Sequence, residues 1–150
     1  AREFGSQCVV LAMDVKRVAN PVVANFKEYG EVPAEAIFQI VTHGGRRPTA
    51  LDAVKWAWLA TETGAGELLV TSMDADGTRD GYDLEMTAAV AAAVDVPVVA
   101  SGGCGSPEHI RRVLTETDAD AALAASIFHY NQFSIQQTKV TVNFSSGPFY

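Results

Sequence analysis

The chain has 150 residues, a formal net charge of −7, 48% hydrophobic residues and 19% charged residues, which describes one globular domain rather than a disordered segment. The acidic balance argues against a non-specific nucleic-acid binder, which needs a basic face to neutralise phosphates. Two cysteines do not make a disulfide framework, so a cytoplasmic location is expected. The longest nearly uncharged run, 86–104, contains Asp95 and Pro97 and is not expected to span a membrane.

Short apolar segments predict buried strands, and the segments between and after them predict helices. The strands are expected at 7–13, 36–42, 67–71, 96–100 and 119–125. The helices are expected at 51–63, 84–94, 107–115 and 133–139. Thr49, Asp83 and Ser106 are the expected N-caps of the first three helices. A divergent loop with some helix at 22–29 is expected over 18–35, and 140–150 predicts an atypical, strand-like tail outside a half-barrel domain over 1–139.

The alternation of strand and helix predicts an α/β fold with about four βα units and a parallel sheet. A TIM barrel has eight such units and about 250 residues, so a chain of 150 residues predicts half a barrel. The carboxyl end of each predicted strand carries polar residues or glycines. Because ligand sites gather at that edge of parallel sheets, the functional residues are expected there.

Two loops of small residues at that edge, 101–103 and 125–126, suggest an anion site. Small side chains let backbone N–H groups approach a phosphate closely, and Gly102, Gly103, Ala125 and Ser126 would form such a site. Glycines also serve simply to make tight turns. The residues alone support the two interpretations about equally.

Asp14 and Asp76 follow predicted strands and are candidates for a general acid and base, although aspartate more often caps turns and helices. Asp74, Asp76 and Glu85 have the spacing of calcium ligands. Arg79 occupies the position that requires glycine in a calcium loop, so that interpretation is rejected. The histidines and cysteines show no zinc spacing, and neither a metal nor a cofactor is expected.

Five motifs, in this order, resemble the C-terminal half of the cyclase subunit of imidazole glycerol phosphate synthase, an enzyme of histidine biosynthesis. They are FGSQCVVLAMD (4–14), THGGRRPT (42–49), TSMDADGT (71–78), ASGG (100–103) and AALAASIFH (121–129). The resemblance covers residues 2–130 and implies the second half of a twofold-repeated TIM barrel. It further implies a lyase that closes the imidazole ring of a bisphosphate ribosyl-formimino carboxamide ribotide, using ammonia from a glutaminase partner.

The same resemblance implies roles for individual residues. Asp14 matches the catalytic aspartate of this half, which acts as acid and base together with a second aspartate from the other half. Thr71 and Ser72 match residues that line the substrate mouth. Glu67 matches one member of a charged ring at the opposite face, where ammonia enters. The phosphate-binding residues of this half are matched by Asp76, Gly77, Gly103, Ala125 and Ser126.

A half-barrel exposes two sheet edges and half a core, which favours closure by a second copy of the chain. A homodimer would place Asp14 twice across one mouth, so cyclase activity is the first hypothesis. The second is a phosphate-binding or structural half-barrel without catalysis, and the third is a fragment that needs its N-terminal half. A homodimer would bring Glu67 twice to the ammonia face without the basic residues that the other half supplies, which argues against glutaminase docking.

Overall fold

The computed structural model describes residue 3 and residues 5–18 and 37–143. Its strands are β1 (Val10–Arg17), β2 (Phe38–Thr42), β3 (Arg47–Asp52), β4 (Glu67–Ser72), β5 (Val98–Ser101) and β6 (Ala121–Ala122). Its helices are α1 (Ala53–Glu62), α2 (Leu84–Ala91), α3 (Pro107–Glu116), α4 (Ser126–His129) and α5 (Ile135–Asn143). Apart from Val18, the predicted loop 18–35 lies outside the described residues, and so does the tail after 143.

The strands β1, β4, β5 and β6 run parallel within a sheet of order β3-β2-β1-β4-β5-β6. Each of these four strands is followed along the chain by a helix, α1 after β1 and its hairpin, α2 after β4, α3 after β5, and α4 with α5 after β6. The predicted α/β fold with parallel strands is therefore confirmed, and it is compatible with a TIM-type barrel.

The segment 36–42, predicted as a parallel strand, is instead part of an antiparallel hairpin. β2 pairs antiparallel with β1, and β3 pairs antiparallel with β2. His43, Gly44 and Gly45 all have positive φ, at 58°, 64° and 79°, so the chain reverses direction within a few residues. The sheet is therefore mixed, and the hairpin separates β1 from α1 along the chain.

Because of this hairpin, α1 begins later in the chain than the sequence predicts. Thr49, the expected N-cap, lies in β3, and its hydroxyl donates a hydrogen bond of 2.7 Å to the carbonyl of Ile40. Asp52 is the N-cap, since its carboxylate accepts the N–H groups of Val54 and Lys55. Pairing with β2 continues as far as Asp52, so the backbone becomes helical only after it.

Ser106 occupies the N-cap position of α3 and Pro107 begins the helix, as predicted, although the Ser106 side chain makes no capping hydrogen bond. The end of the last helix differs from the sequence prediction. The last helix continues to Asn143, into the segment predicted as a strand-like tail. Ser134 accounts for the start of this helix, because its hydroxyl accepts the N–H of Gln137. The division of the chain into a domain over 1–139 and a tail stays a prediction.

The parallel strands present two different faces. On one face, alternate side chains such as Met13, Leu68, Val70 and Val98 are at most 2% exposed, because the helices pack on them. The opposite face is more open, and Val10 there remains 52% exposed. We call this the uncovered face, and its alternate strand positions are Val10, Ala12, Asp14, Glu67, Leu69, Thr71, Val99, Ser101 and Ala121, with Leu123 continuing the alternation just after β6. In a closed barrel the corresponding face points inward.

Arg17 joins the end of β1 to α2. Its guanidinium lies 2.8 Å from a carboxylate oxygen of Asp83 and 2.8 Å from one of Glu85, and it stacks 4.8 Å from the ring centre of Phe38. Its backbone N–H donates to the carboxylate of Asp74 at 2.7 Å. The hydrogen bond to Asp83, more than that to Glu85, raises the pKa of Arg17. One residue therefore anchors both the loop after β4 and the helix that follows it.

We expect Asp83→Ala to lower the free energy of unfolding by about 2 kcal/mol. Asp83 caps α2 through the N–H of Met86, and it is also the more buried partner of Arg17, with a side chain 10% exposed. Glu85→Ala is the matched control, because it removes a 63% exposed partner of the same arginine. The control should cost less than about 0.5 kcal/mol. Urea unfolding followed by circular dichroism measures both, and equal losses would contradict the assigned role of Asp83.

Candidate functional site

A cavity of about 170 Å³ lies at the carboxyl edge of β4, β5 and β6. It is formed by the loops 73–83, 102–106 and 123–125, and we call it the loop cavity. Its lining consists of Asp76, Gly77, Arg79, Gly102, Gly103, Cys104, Leu123, Ala124, Ala125 and Ser126. The loop residues that were predicted to bind phosphate therefore all line this one cavity. Thr71 and Ser72, at the end of β4, are not part of its lining.

Gly102 and Gly103 allow two loop backbones to touch. Their φ angles are 92° and 94°, which favour glycine. A Cβ atom on Gly102 would lie 2.7 Å from the carbonyl oxygen of Ser72, and one on Gly103 would overlap the carbonyl of Gly81. The N–H of Gly81 donates to the carbonyl of Gly103 at 2.9 Å. These glycines therefore have a structural role whether or not an anion binds beside them.

The loop cavity offers hydrogen-bond donors. Within the part of the chain that the structure describes, the backbone N–H groups of Gly77 and Gly103 donate to no other residue. Arg79 is the cationic side chain of the lining, and Asp76 is the acidic one. Unpaired N–H groups in turns with positive φ form concavities that hold anions. The cavity therefore suits a phosphate group better than a cation.

Asp14, Thr71 and Ser101 form a row across three neighbouring strands. Asp14 is in register with Thr71, and Thr71 is in register with Ser101. All three are half-buried and belong to the uncovered face. Because neighbouring strands lie about 4.8 Å apart, Asp14 is about 10 Å from Ser101 on β5, the strand that Gly102 and Gly103 follow. The predicted catalytic residue and the predicted phosphate residues thus share one edge of the sheet but not one cavity.

Asp14 borders a second cavity of about 440 Å³ between β1 and the hairpin β2–β3. The polar side chains of Thr42, His43 and Thr49 also line it, and Nδ1 of His43 lies 3.1 Å from the hydroxyl of Thr42. Sequence reasoning did not select these three residues as site residues. The hairpin brings them beside Asp14, and the strand pattern alone did not predict that hairpin.

Ser72 and Glu67 lie away from both cavities. Ser72 is 1% exposed on the helix-covered face, and its hydroxyl accepts the N–H of Ala75 at 3.2 Å and donates to Asp83 at 3.5 Å. Its side chain therefore stabilises the turn after β4, and Thr71 is the member of the predicted pair that lies on the uncovered face. Glu67 begins β4 at the opposite edge of the sheet, where it is half-buried.

Tyr82 and Cys104 are buried beside the loop cavity, and Cys104 forms part of its lining. The hydroxyl of Tyr82 donates to the carbonyl of Leu123 at 2.8 Å, which joins the loop after β4 to the loop after β6. Burial raises the pKa of the Tyr82 hydroxyl above its usual value. Burial likewise raises the pKa of the Cys104 thiol, so Cys104 is protonated at neutral pH. Cys104 therefore acts as a packed side chain rather than a nucleophile.

No three His, Cys, Asp or Glu side chains among the described residues are grouped so that they would hold a metal ion. The loop cavity has Asp76 as its acidic side chain, and one carboxylate is too few for a calcium site made by protein ligands. Within the described ranges, 5–18 and 37–143, no helix has the length and apolar character needed to cross a membrane.

Residues 1–134 match the family described as histidine biosynthesis protein. The imidazole glycerol phosphate synthase subunit HisF of Methanopyrus kandleri is 51% identical over 145 residues, which covers 91% of this chain and 51% of that protein. The protein of the same name from Natronomonas pharaonis is 51% identical over 140 residues, covering 93% of this chain and 51% of the relative. The chain therefore spans about half the length of the curated relatives it matches.

We expect an alkylating reagent at pH 7.5 to modify Cys8 in the folded chain and to leave Cys104 unmodified. Cys8 is exposed, whereas Cys104 is buried and its pKa is raised. Peptide mass spectrometry after a short reaction measures both thiols, and the same reaction in denaturant is the control in which both should be labelled. Rapid labelling of Cys104 in the folded chain would contradict the buried position of its side chain beside the loop cavity.

Proposed function

Since the chain belongs to the histidine biosynthesis protein family, we propose that it supplies the C-terminal half of a cyclase-type imidazole glycerol phosphate synthase site. The substrate is a ribosyl-formimino carboxamide ribotide with a phosphate at each end, and the reaction is closure of the imidazole ring with ammonia. The observation that carries the proposal is the row Asp14, Thr71 and Ser101, which leads from a carboxylate to the loop cavity along one sheet edge.

Asp14 is the proposed acid–base residue. Ring closure with ammonia requires proton transfers, and a carboxylate at the rigid end of a strand is suited to them. Asp14 is half-buried and borders a cavity of about 440 Å³, so a substrate has room beside it. The hydroxyl of Thr71, its register partner, lies next to it on the same face. In this proposal Thr71 helps to orient the substrate between Asp14 and the loop cavity.

The loop cavity is the proposed site for one substrate phosphate. The unpaired N–H groups of Gly77 and Gly103 supply donors, and the small residues Ala125 and Ser126 let the phosphate approach the backbone. The dimensions support this proposal, because about 170 Å³ accommodates a phosphate group but not the whole ribotide. The remainder of the substrate would then extend over the uncovered face toward Asp14.

A second copy of the chain is the proposed occupant of the uncovered face. Val10 and Leu123 on this face are 52% and 44% exposed, and apolar side chains of a sheet gain stability when another surface covers them. β3 and β6 are the outer strands of the described sheet, so each presents an edge that a second chain can meet. A twofold assembly would also place Asp14 of each copy at one mouth, which supplies the pair of carboxylates.

Ammonia delivery by a glutaminase subunit is a separate question. Glu67 lies at the edge of the sheet opposite Asp14, which is the side where the resemblance to the cyclase subunit places ammonia entry. A homodimer would place Glu67 there twice, without the basic residues that the other half of the barrel supplies in that family. Activity is therefore best tested with ammonium as the nitrogen source, because that assay does not depend on a partner.

We expect the purified chain to turn over the ribotide substrate with ammonium, and Asp14→Asn to lower kcat at least about 100-fold by removing the acid–base group. Asp95→Asn is the matched control, because it makes the same charge change at an exposed position before β5 and should leave turnover unchanged. Chromatography of the product measures the rates. Full activity in Asp14→Asn would exclude Asp14 as the catalytic residue.

The same assay separates the two other hypotheses. Phosphate binding by a chain without turnover would support a non-catalytic phosphate-binding half-barrel. Turnover that appears only when a separate N-terminal half from a relative is added would support a fragment that needs that half. In either case the proposal of a catalytically complete homodimer would be wrong.

We expect light scattering to give twice the monomer mass of 16.0 kDa at micromolar concentration. Val10→Asp should shift the chain toward the monomer, because it replaces an exposed apolar side chain of the proposed contact with a charge. Ile135→Asp is the matched control, since Ile135 is 63% exposed on α5, away from the uncovered face, and should leave the mass unchanged. A stable wild-type monomer would refute the proposed assembly.

A further inference from the structure

Arg79 has an unusual backbone conformation beside the loop cavity. Its φ is 65°, in the left-handed region that is unfavourable for residues with a side chain. The loop after β5 holds it there, because its carbonyl is packed so closely against Gly105 that a Cβ atom on Gly105 would overlap it. Glycine would be the easier residue for this conformation, so an arginine here points to a use for the side chain.

The side chain of Arg79 lies against an aromatic ring. Its guanidinium carbon is 5.4 Å from the ring centre of Tyr130, which is a cation–π contact. Tyr130 follows α4 and packs edge-on against His129, with ring centres 5.2 Å apart. A cation–π contact uses the positive charge and none of the N–H donors, so the N–H groups of Arg79 remain available for hydrogen bonds.

Arg79 forms no ion pair with any residue that the structure describes. In the described ranges, Arg17, Arg111 and Arg112 each form an ion pair with a carboxylate, whereas Arg46, Arg47 and Arg79 form none. Of these last three arginines, Arg79 is the one that lines the loop cavity. Among the residues that line the loop cavity, Arg79 carries the only positive charge and Asp76 the only negative one. Without Arg79 the cavity would present a carboxylate to an incoming phosphate, and repulsion would oppose binding.

We propose that Arg79 binds the phosphate in the loop cavity through its guanidinium, and that Tyr130 is a positioning residue that holds the guanidinium there. The inference rests on the phosphate site of the proposed function and adds to it the charged group that selects the ligand. A guanidinium donates two parallel hydrogen bonds to a phosphate monoester, and these bonds are strong because both partners are charged. The site is therefore selective for a phosphate monoester over a neutral sugar.

Titration calorimetry of the full chain with inorganic phosphate tests the proposal. Arg79→Gly should weaken binding about tenfold and leave the thermal unfolding temperature close to that of the wild type, because glycine accepts the left-handed conformation. Arg79→Lys should be intermediate, because lysine keeps the charge and loses the paired hydrogen bonds. Lys139→Ala is the matched control for the loss of one positive charge, since Lys139 is exposed on α5, and it should bind as the wild type does.

The role of Tyr130 is tested by two further variants. Tyr130→Leu should weaken phosphate binding without changing the unfolding temperature, because the guanidinium loses the ring that holds it. Tyr130→Phe should bind like the wild type, because the ring is kept and only the hydroxyl is lost. Equal weakening in both variants would contradict the cation–π role of the ring.

The outcomes separate this inference from the proposed function. Equal phosphate affinity in the wild type and Arg79→Gly would overturn the role of Arg79 and leave the backbone phosphate site in place. Absence of binding by the wild type would overturn the phosphate site and Arg79 together. Loss of binding in Lys139→Ala as large as in Arg79→Gly would show a general charge effect and would also overturn the inference.

Discussion

The contact between two loop backbones at glycine positions is the constraint on which the candidate site depends. Gly102 lies against the carbonyl of Ser72, Gly103 against that of Gly81, and Gly105 against that of Arg79. Any side chain at the first two positions would separate the loop after β4 from the loop after β5, and the cavity between them would lose its shape. The constraint also fixes where Arg79 stands, because its carbonyl is one of the packed atoms. The packed glycines therefore shape the site, and Gly103, with Gly77 of the neighbouring loop, also offers it a backbone N–H donor.

The two faces of the sheet explain why the proposed assembly would matter for both stability and function. Residues such as Leu68 and Val70 on the helix-covered face are fully buried, whereas Val10 and Leu123 on the uncovered face are not. Burial of apolar surface contributes about 25 cal/mol per Å², so a chain with one open sheet face forgoes part of the stability that a closed barrel gains. Covering that face with a second copy would make stability depend on protein concentration. The same surface carries Asp14, so the contact that stabilises the chain also encloses the proposed catalytic group.

The sequence predicts the repeated strand–helix units of this fold better than the hairpin that interrupts them. Apolar runs followed by polar loops predicted the parallel strands, and Asp83 was correctly predicted as the cap of α2, because these signals are local. The hairpin β2–β3 was missed, since its strand has the same apolar character as a parallel strand and only the turn at His43–Gly45 reverses the chain. The prediction of Thr49 as the N-cap of α1 was wrong for the same reason. The pairing of β3 with β2 continues to Asp52, so Asp52 is the N-cap.

The directions and long-range contacts of side chains were the other features that the sequence did not predict. Ser72 and Thr71 are adjacent in the sequence and equally polar, but alternate strand residues point to opposite faces, so only Thr71 lies on the uncovered face. Arg79 was considered only as a residue that excludes calcium, because its contact with Tyr130 joins positions 51 residues apart in sequence (130 minus 79) that no local pattern connects.

The distance between Asp14 and Gly103 limits which ligands could reach both proposed parts of the site. Two strand spacings, about 10 Å, separate Asp14 on β1 from β5, the strand that Gly103 follows, so a ligand held by its phosphate at Gly103 would reach Asp14 only if it extended across Thr71. A compact phosphate ester would bind without meeting the carboxylate. An elongated ribotide with a phosphate at each end would pass over the row, and its second phosphate would require a matching loop cavity beyond Asp14. A twofold copy of the chain would provide such a cavity, so the spacing within one chain and the symmetry of the proposed assembly both favour the elongated bisphosphate substrate of the proposed function.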